Sequence, residues 1–311
     1  DRIYYSEYED YIEITGFVFK DTPPEISIDQ PLDVSMVSYD FSLFTSKEEY
    51  VSPEDAGVVD LIIPELILGK PVKKIKDNSF KDIAAIKSVV LPSTLEYIGN
   101  GAFSGCLNVP YFDFPSSLLY VGRNAFSGCT SVTELKTPEK MDIIGEYAFS
   151  GMSSVSVLEI AECVKEIREG AFSGLGSVKE LFIPENVTLI GAKAFKKFHS
   201  IKTLTIPQKV SFIGLQAFYN CNNLSSVTFL GSPSVIGDEV FAVTALEEVK
   251  LNSGKVVLGN KVFRDCINLS YIDFGGAEKV GNNFFDGCKR LTKVVFSPDM
   301  TEISEGMFYN C

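Results

Sequence analysis

The chain has 311 residues, 45% of them hydrophobic, and a formal charge of −13. Residues 1–55 hold three basic side chains (Arg2, Lys20 and Lys47) against 14 acidic ones, a net of −11, which leaves −2 for residues 56–311. Neither part has the basic surplus that neutralises phosphates, which makes nucleic acid and anionic membrane poor candidates as partners.

The chain opens DRIYYSEYEDY, with no Met and no signal-type apolar core, and stops inside a recurring motif at EGMFYNC. Both ends read as those of a trimmed or partial chain. Residues 1–55 are expected to form an acidic N-terminal capping region, with YIEITGF from Tyr11 as a pairing strand. The longest apolar candidate, VVDLIIPELILG from Val58, is broken by Asp60, Pro64 and Glu65. It falls short of the ~18 to 20 residues that cross a bilayer. Its first part fits a strand, so a second region, residues 56–311, begins near Ala56.

That region repeats. Phenylalanines recur at Phe80, Phe103, Phe126, Phe149, Phe172, Phe195, Phe218, Phe241, Phe263, Phe285 and Phe308, spaced 23 seven times and then 22, 22 and 23. Five residues before each lies an aliphatic, from Ile75 and Ile98 to Val280 and Ile303. Between phenylalanines, stretches such as VTELKTP, VKELFIP and IKTLTIP place apolar residues first, fourth and sixth, and several end in Pro. That pattern is a short strand entered by a bend and ended by a turn. Units of this length cannot bury their own apolar face, so only stacking creates a core. The fold class is therefore a leucine-rich-repeat solenoid: about eleven stacked coils of 22–23 residues, a parallel β-sheet face, mostly irregular or short-strand return arms, and the N-terminal cap. At roughly 4.8 Å per strand the array is a rod about 50 Å long. In IGNGAFSGC, Ile98, Ala102, Phe103 and Cys106 are expected to point inward. The glycine column of Gly99, Gly122, Gly145, Gly191, Gly214, Gly237, Gly259 and Gly281 reads as supplying a backbone geometry that side chains disfavour.

The AFSGC repeat, preceded by IG and followed by a strand ending in Pro, resembles the BspA-like leucine-rich repeats over residues 56–311. The resemblance implies a secreted or cell-surface protein of a host-associated microbe, taking part in adhesion or host interaction. It brings no catalytic motif and no cofactor.

Candidate chemistry points the same way. Cys106, Cys129, Cys221, Cys266, Cys288 and Cys311 occupy a column that elsewhere holds Ile83, Met152, Leu175, Phe198 and Thr244, so they read as buried free thiols. Zinc is disfavoured by the lack of a C-x-x-C pair or a nearby histidine. His199, the single histidine, stands in a tolerant column and reads as an exposed turn residue rather than a catalytic base. Paired acids such as Glu247 with Glu248, or Asp238 with Glu239, read as solvated surface rather than a glycosidase pair. No phosphate-binding glycine loop occurs, and the sequons at Asn186, Asn223 and Asn268 read as incidental.

The strand places that face outward form columns along the rod. The third-place column includes Tyr111, Val157 and Tyr271, and the fifth-place column includes Phe182. Tyr111, Val157 and Phe182 are the candidate contact patch, with Tyr271 a weaker one. Asp113, Lys136 and Glu159 are expected to stack as an alternating charge ladder. The function expected is a non-enzymatic adhesion or interaction module for a protein or glycan ligand on host or neighbouring cells. A structural spacer displaying another domain is the alternative, and a carboxylate-based glycoside hydrolase a remote one.

Overall fold

A computed structural model describes the backbone of residues 2–18 and 59–311. The expected start of the array at Ala56 and most of the expected capping region lie outside the described residues. The described chain begins with β1 (Arg2–Glu7) and β2 (Ile12–Val18), an antiparallel hairpin. Next come β3 (Val59–Ile62), the short hairpin of β4 (Leu66–Ile67) and β5 (Lys70–Ile75), and β6 (Ile86–Val90). From there the chain winds as parallel coils, two short strand places in each, with no helix among the described residues.

One ladder is built from the L-x-x-V-x-I places, and it is interrupted. β3 pairs with β6, strand Glu134–Lys136 pairs with Val157–Glu159, and five strands run from Thr203–Ile206 to Lys293–Val295. Residues 109–114 and 180–183 carry no strand, so the parallel sheet face comes in three pieces. At the first gap Pro110 lacks an N–H to donate. The sixth place of the following coil is the small, hydrogen-bonded Thr137, over which Phe114 leans to reach Phe126 at 5.2 Å and Phe149 at 6.1 Å.

The return-arm ladder is the more regular one. β2 runs parallel to β5, which is followed by Tyr97–Ile98 and Tyr120–Val121. A further seven strands run from Ile143–Ile144 to Ala277–Val280. Most of these strands have only two residues, the second being the aliphatic five places before the phenylalanine. Hydrogen bonds between coils hold the arms without helix: Gly99 N–H donates to Ile75 O at 2.8 Å, Gly101 to Arg123 O at 2.8 Å and Phe103 to Ala125 O at 2.7 Å. The backbone's need for partners is met by translation from coil to coil.

At the centre the eleven phenylalanine rings form one unbroken stack, with centroids from 5.0 Å (Phe80–Phe103) to 6.2 Å (Phe263–Phe285) apart. The stack loses its cover in the last coil, where Ile303, Phe308 and Cys311 are exposed despite their inward columns.

The glycine column has a different cause from the one expected. Its φ angles are ordinary, and what it provides is clearance: a Cβ on Gly122 would lie 2.6 Å from Asn100 N, and one on Gly214 2.6 Å from Ala192 N. The left-handed geometry falls instead two residues before and two residues after each phenylalanine. All eleven coils have positive φ at both places, with Gly101 and Gly105 in one coil but Lys193 and Lys197, or Glu239 and Val243, in others.

Candidate functional site

Tyr111 is 58% exposed, Val157 47% and Phe182 73%. All three lie on the strand face, but the structure spreads them over four consecutive coils. Tyr111 and Phe182 stand in the two coils that lack a strand, and Val157 lies between them, opposite Glu134 in register. Tyr111 borders a groove of about 510 Å³ together with Asp113, Phe114, Glu134, Lys136 and Glu139. One tyrosine, two phenylalanines (Phe112 buried, Phe114 half-buried) and charges of both signs line it, which suits a polar ligand carrying an apolar group.

Tyr271 is half-buried, and its ring is clasped by two lysines. Lys250 Nζ lies 5.7 Å and Lys293 Nζ 5.3 Å from its centroid. These cation–π contacts occupy the ring surface a ligand would use.

The charge ladder forms with a substitution in its membership. Lys136 Nζ lies 3.4 Å from Glu159, as expected, but its other partner is Glu134 on its own strand at 3.3 Å, in place of Asp113. The two carboxylates raise the Lys136 pKa above the ordinary lysine value, the bond to Glu134 contributing most.

The five buried thiols, at Cys106, Cys129, Cys221, Cys266 and Cys288, are structural. Cys106 Sγ–H donates to Phe80 O at 3.2 Å, Cys129 to Phe103 O at 3.2 Å and Cys288 to Phe263 O at 3.0 Å. All seven cysteines are free, and burial pushes Cys106 and Cys221 up to about 12 and Cys266 up to about 11. A thiol held neutral is neither a nucleophile nor a metal ligand at neutral pH. His199 is half-buried rather than exposed, because Gly176 in the preceding coil leaves room for its ring. Its Nδ1 lies 3.2 Å from Asn222 Oδ1.

Of the paired acids, Glu247 and Glu248 are exposed, while Asp238 and Glu239 are tied into coil stacking. Asp238 Oδ1 accepts Asn260 N–H at 2.8 Å, and Asn260 Oδ1 in turn accepts Asn282 N–H at 2.8 Å. Glu239 accepts Gln216 Nε2 at 2.6 Å and pairs with Arg264 at 3.1 Å. Asn186 and Asn223 donate to carbonyls of the preceding coil, at Glu162 and His199. Among the described residues no three His, Cys, Asp or Glu side chains gather as a metal site, and no helix is long and apolar enough to cross a membrane.

Sequence reasoning missed the outward face of the return arm. Tyr97 and Tyr120 stack there at 4.6 Å with 7° between their planes. The signal was present: half-buried Tyr97 and exposed Tyr120 occupy the place six before the phenylalanine, where Phe212 and Val257 are exposed too.

Stacked parallel coils with a phenylalanine core and a strand face define a leucine-rich-repeat solenoid. Residues 73–202 and 188–311 match the BspA type leucine rich repeat region, in six copies, and the chain belongs to that family. Among solved structures it is similar to a leucine-rich repeat protein from Bacteroides ovatus, at 21% identity over 94% of this chain and 93% of that one, with a TM-score of 0.39. It is also similar to a leucine rich cell surface protein from Faecalibacterium prausnitzii, at 18% identity over 95% and 93%, TM-score 0.43. A pneumococcal vaccine antigen gives 17% identity over 79% and 81%, TM-score 0.46. No curated protein matches the chain.

Proposed function

We propose that the chain is a non-enzymatic recognition module, placed outside the cell, whose strand face binds a protein or glycan on a host or neighbouring cell. The observation that carries this reading is Phe182, 73% exposed in a column where its neighbours along the rod are Glu159 and Thr205. Covering apolar surface gains about 25 cal/mol per Å², so a ring left this open is an anchor for whatever covers it. Tyr111 with its groove and Val157 extend the same face. Membership of the BspA-type family supports the extracellular placement.

The test is an array of matrix proteins and glycans probed with the whole chain beside a Tyr111→Ala, Val157→Ala, Phe182→Ala triple variant. Binding by the parent that falls at least about tenfold in the variant supports the reading. Binding that survives in the variant removes the strand face as its site. The spacer reading is favoured by the unbroken phenylalanine stack, which stiffens the rod, and it predicts no parent signal on any spot.

A further inference from the structure

The first coil is five residues longer than the regular ones: Pro64 lies 28 residues before Pro92, whereas Pro92, Pro115 and Pro138 are 23 apart. The extra length is spent on the β4–β5 hairpin, in which Leu66 stands opposite Pro71 and Ile67 opposite Lys70. Insertions in a repeat array project from it as loops, and such loops often carry binding. Ile67 is buried and pins the hairpin to the core, while Leu66 and Leu68 on either side of it are 56% and 52% exposed. Leu68 also holds φ at +54°, a turn position that favours Asn, Asp or Gly and that other L residues resist because Cβ crowds the next carbonyl.

Lys70 ties this hairpin to the β1–β2 turn: its Nζ lies 2.9 Å from the Glu7 carboxylate and donates to Tyr8 O at 2.6 Å. The turn brings Tyr8 to the same edge, 42% exposed and stacked on Tyr11 at 4.5 Å. The lysine charges here are already offset, Lys70 by Glu7, Lys73 by Glu96 at 3.0 Å, and Lys74, bonded to the neutral Tyr11 hydroxyl at 3.0 Å, by the Glu13 carboxylate beside it. The exposed Glu9 and Asp10 therefore leave the rim acidic.

We infer that this edge is a second docking site, and that its occupant is a basic amphipathic segment of a partner protein. The segment's apolar side covers Leu66, Leu68 and Tyr8, and its Lys or Arg side chains meet Glu9 and Asp10. The inference rests on the reading of the chain as an interaction module but uses none of the strand face, so either can fail alone. The same acidic rim repels an anionic membrane surface.

The experiment is fluorescence anisotropy of a labelled Leu/Lys amphipathic peptide titrated with the whole chain. The Leu66→Asn, Leu68→Asn double variant keeps the net charge and gives the turn a residue suited to its φ, so its melting temperature is expected at or above the parent's. Its affinity for the peptide is expected to fall at least about tenfold. A Glu9→Gln, Asp10→Asn variant is expected to bind several-fold more weakly, and the Tyr111, Val157 and Phe182 triple variant as the parent does. Equal binding by the parent and the double leucine variant, absence of saturable binding by the parent, or loss of binding in the strand-face variant would each overturn the inference.

Discussion

Phe172 and Phe308 occupy the same place in the repeat, and the structure gives them different energies. Phe172 is fully buried between Phe149 at 5.8 Å and Phe195 at 5.7 Å. Its truncation to Ala removes a whole buried side chain and leaves a cavity between two coils, at a cost of about 3–5 kcal/mol. Within that total, each lost ring contact contributes roughly 0.5–1.5 kcal/mol beyond area burial. Phe308 is 40% exposed and has a single stacked neighbour in the column, Phe285 at 5.7 Å. Phe308→Ala is therefore expected to cost about 1–2 kcal/mol, one ring contact and part of the burial. Because each coil contacts only its neighbours, the two losses also differ in reach: the first weakens the coupling between two halves of the array, the second frays one end. Urea melts followed by circular dichroism rank the variants, and hydrogen exchange locates the loosened coils. Equal destabilisation by the two, or loosening at Phe308→Ala that spreads to the central coils, would refute the account of the core as a stack whose strength comes from having neighbours on both sides.

Gly214→Ala is expected to destabilise the chain by about 1–3 kcal/mol, since its Cβ would meet Ala192 N at 2.6 Å; an unchanged urea midpoint would show that the coils part easily. Val243→Asn is expected to raise stability by about 1 kcal/mol, because a β-branched residue at φ +60° resists the left-handed region that Asn tolerates; a lower midpoint would place the value of Val243 in packing instead. Alkaline pH should weaken the fold. Cys106, Cys221 and Cys266 stay protonated in the folded chain up to about 12, about 12 and about 11, while unfolded thiols ionise near 9. The unfolded state then holds fewer protons, so stability is full below pH 9 and falls as pH climbs from there towards 12. A Cys221→Ala variant should show a shallower fall, and an identical slope would remove that thiol from the effect.

The period, the inward columns and the fold class were legible because core positions repeat and one misassigned unit is outvoted by ten others. Phe103, Ala102 and Cys106 are buried as their columns require. Two kinds of feature were not legible. The first is geometry that a mixed column blurs: the left-handed places hold Gly, Asn or Asp in most coils, the residues that tolerate positive φ, but Tyr147, Lys193, Lys197, Gln216, Glu239, Val243 and Lys261 interrupt the preference. The second is relations between coils. Gly99 and Gly122 are small because the neighbouring backbone passes close by, and a single coil read alone offers φ as the simpler explanation. At the candidate site the exposure of Tyr111, Val157 and Phe182 followed from alternation along the strand. The clasping of Tyr271 by Lys250 and Lys293 depended on which coils lie adjacent, and the missing ladder at residues 180–183 has no counterpart in the pattern.

Along most of the array, the bond from Gly99 to Ile75 recurs from Gly122 to Ile98 and from Gly191 to Ile167, each spanning 24 positions. A network that maps onto itself under a step of one coil has no privileged length. Deleting or duplicating one 23-residue unit within Ile167–Ile213 would leave the return-arm backbone donors there with equivalent acceptors, and would change the span by only about 4.8 Å. The outward side chains do not share that symmetry. They behave as tiles on a conveyor, so a one-coil deletion between Tyr111 and Phe182 would alter the pattern shown to a partner while keeping the phenylalanine stack beneath it continuous. Such a chain is able to vary what it displays by exchanging whole coils, without searching again for a sequence that folds.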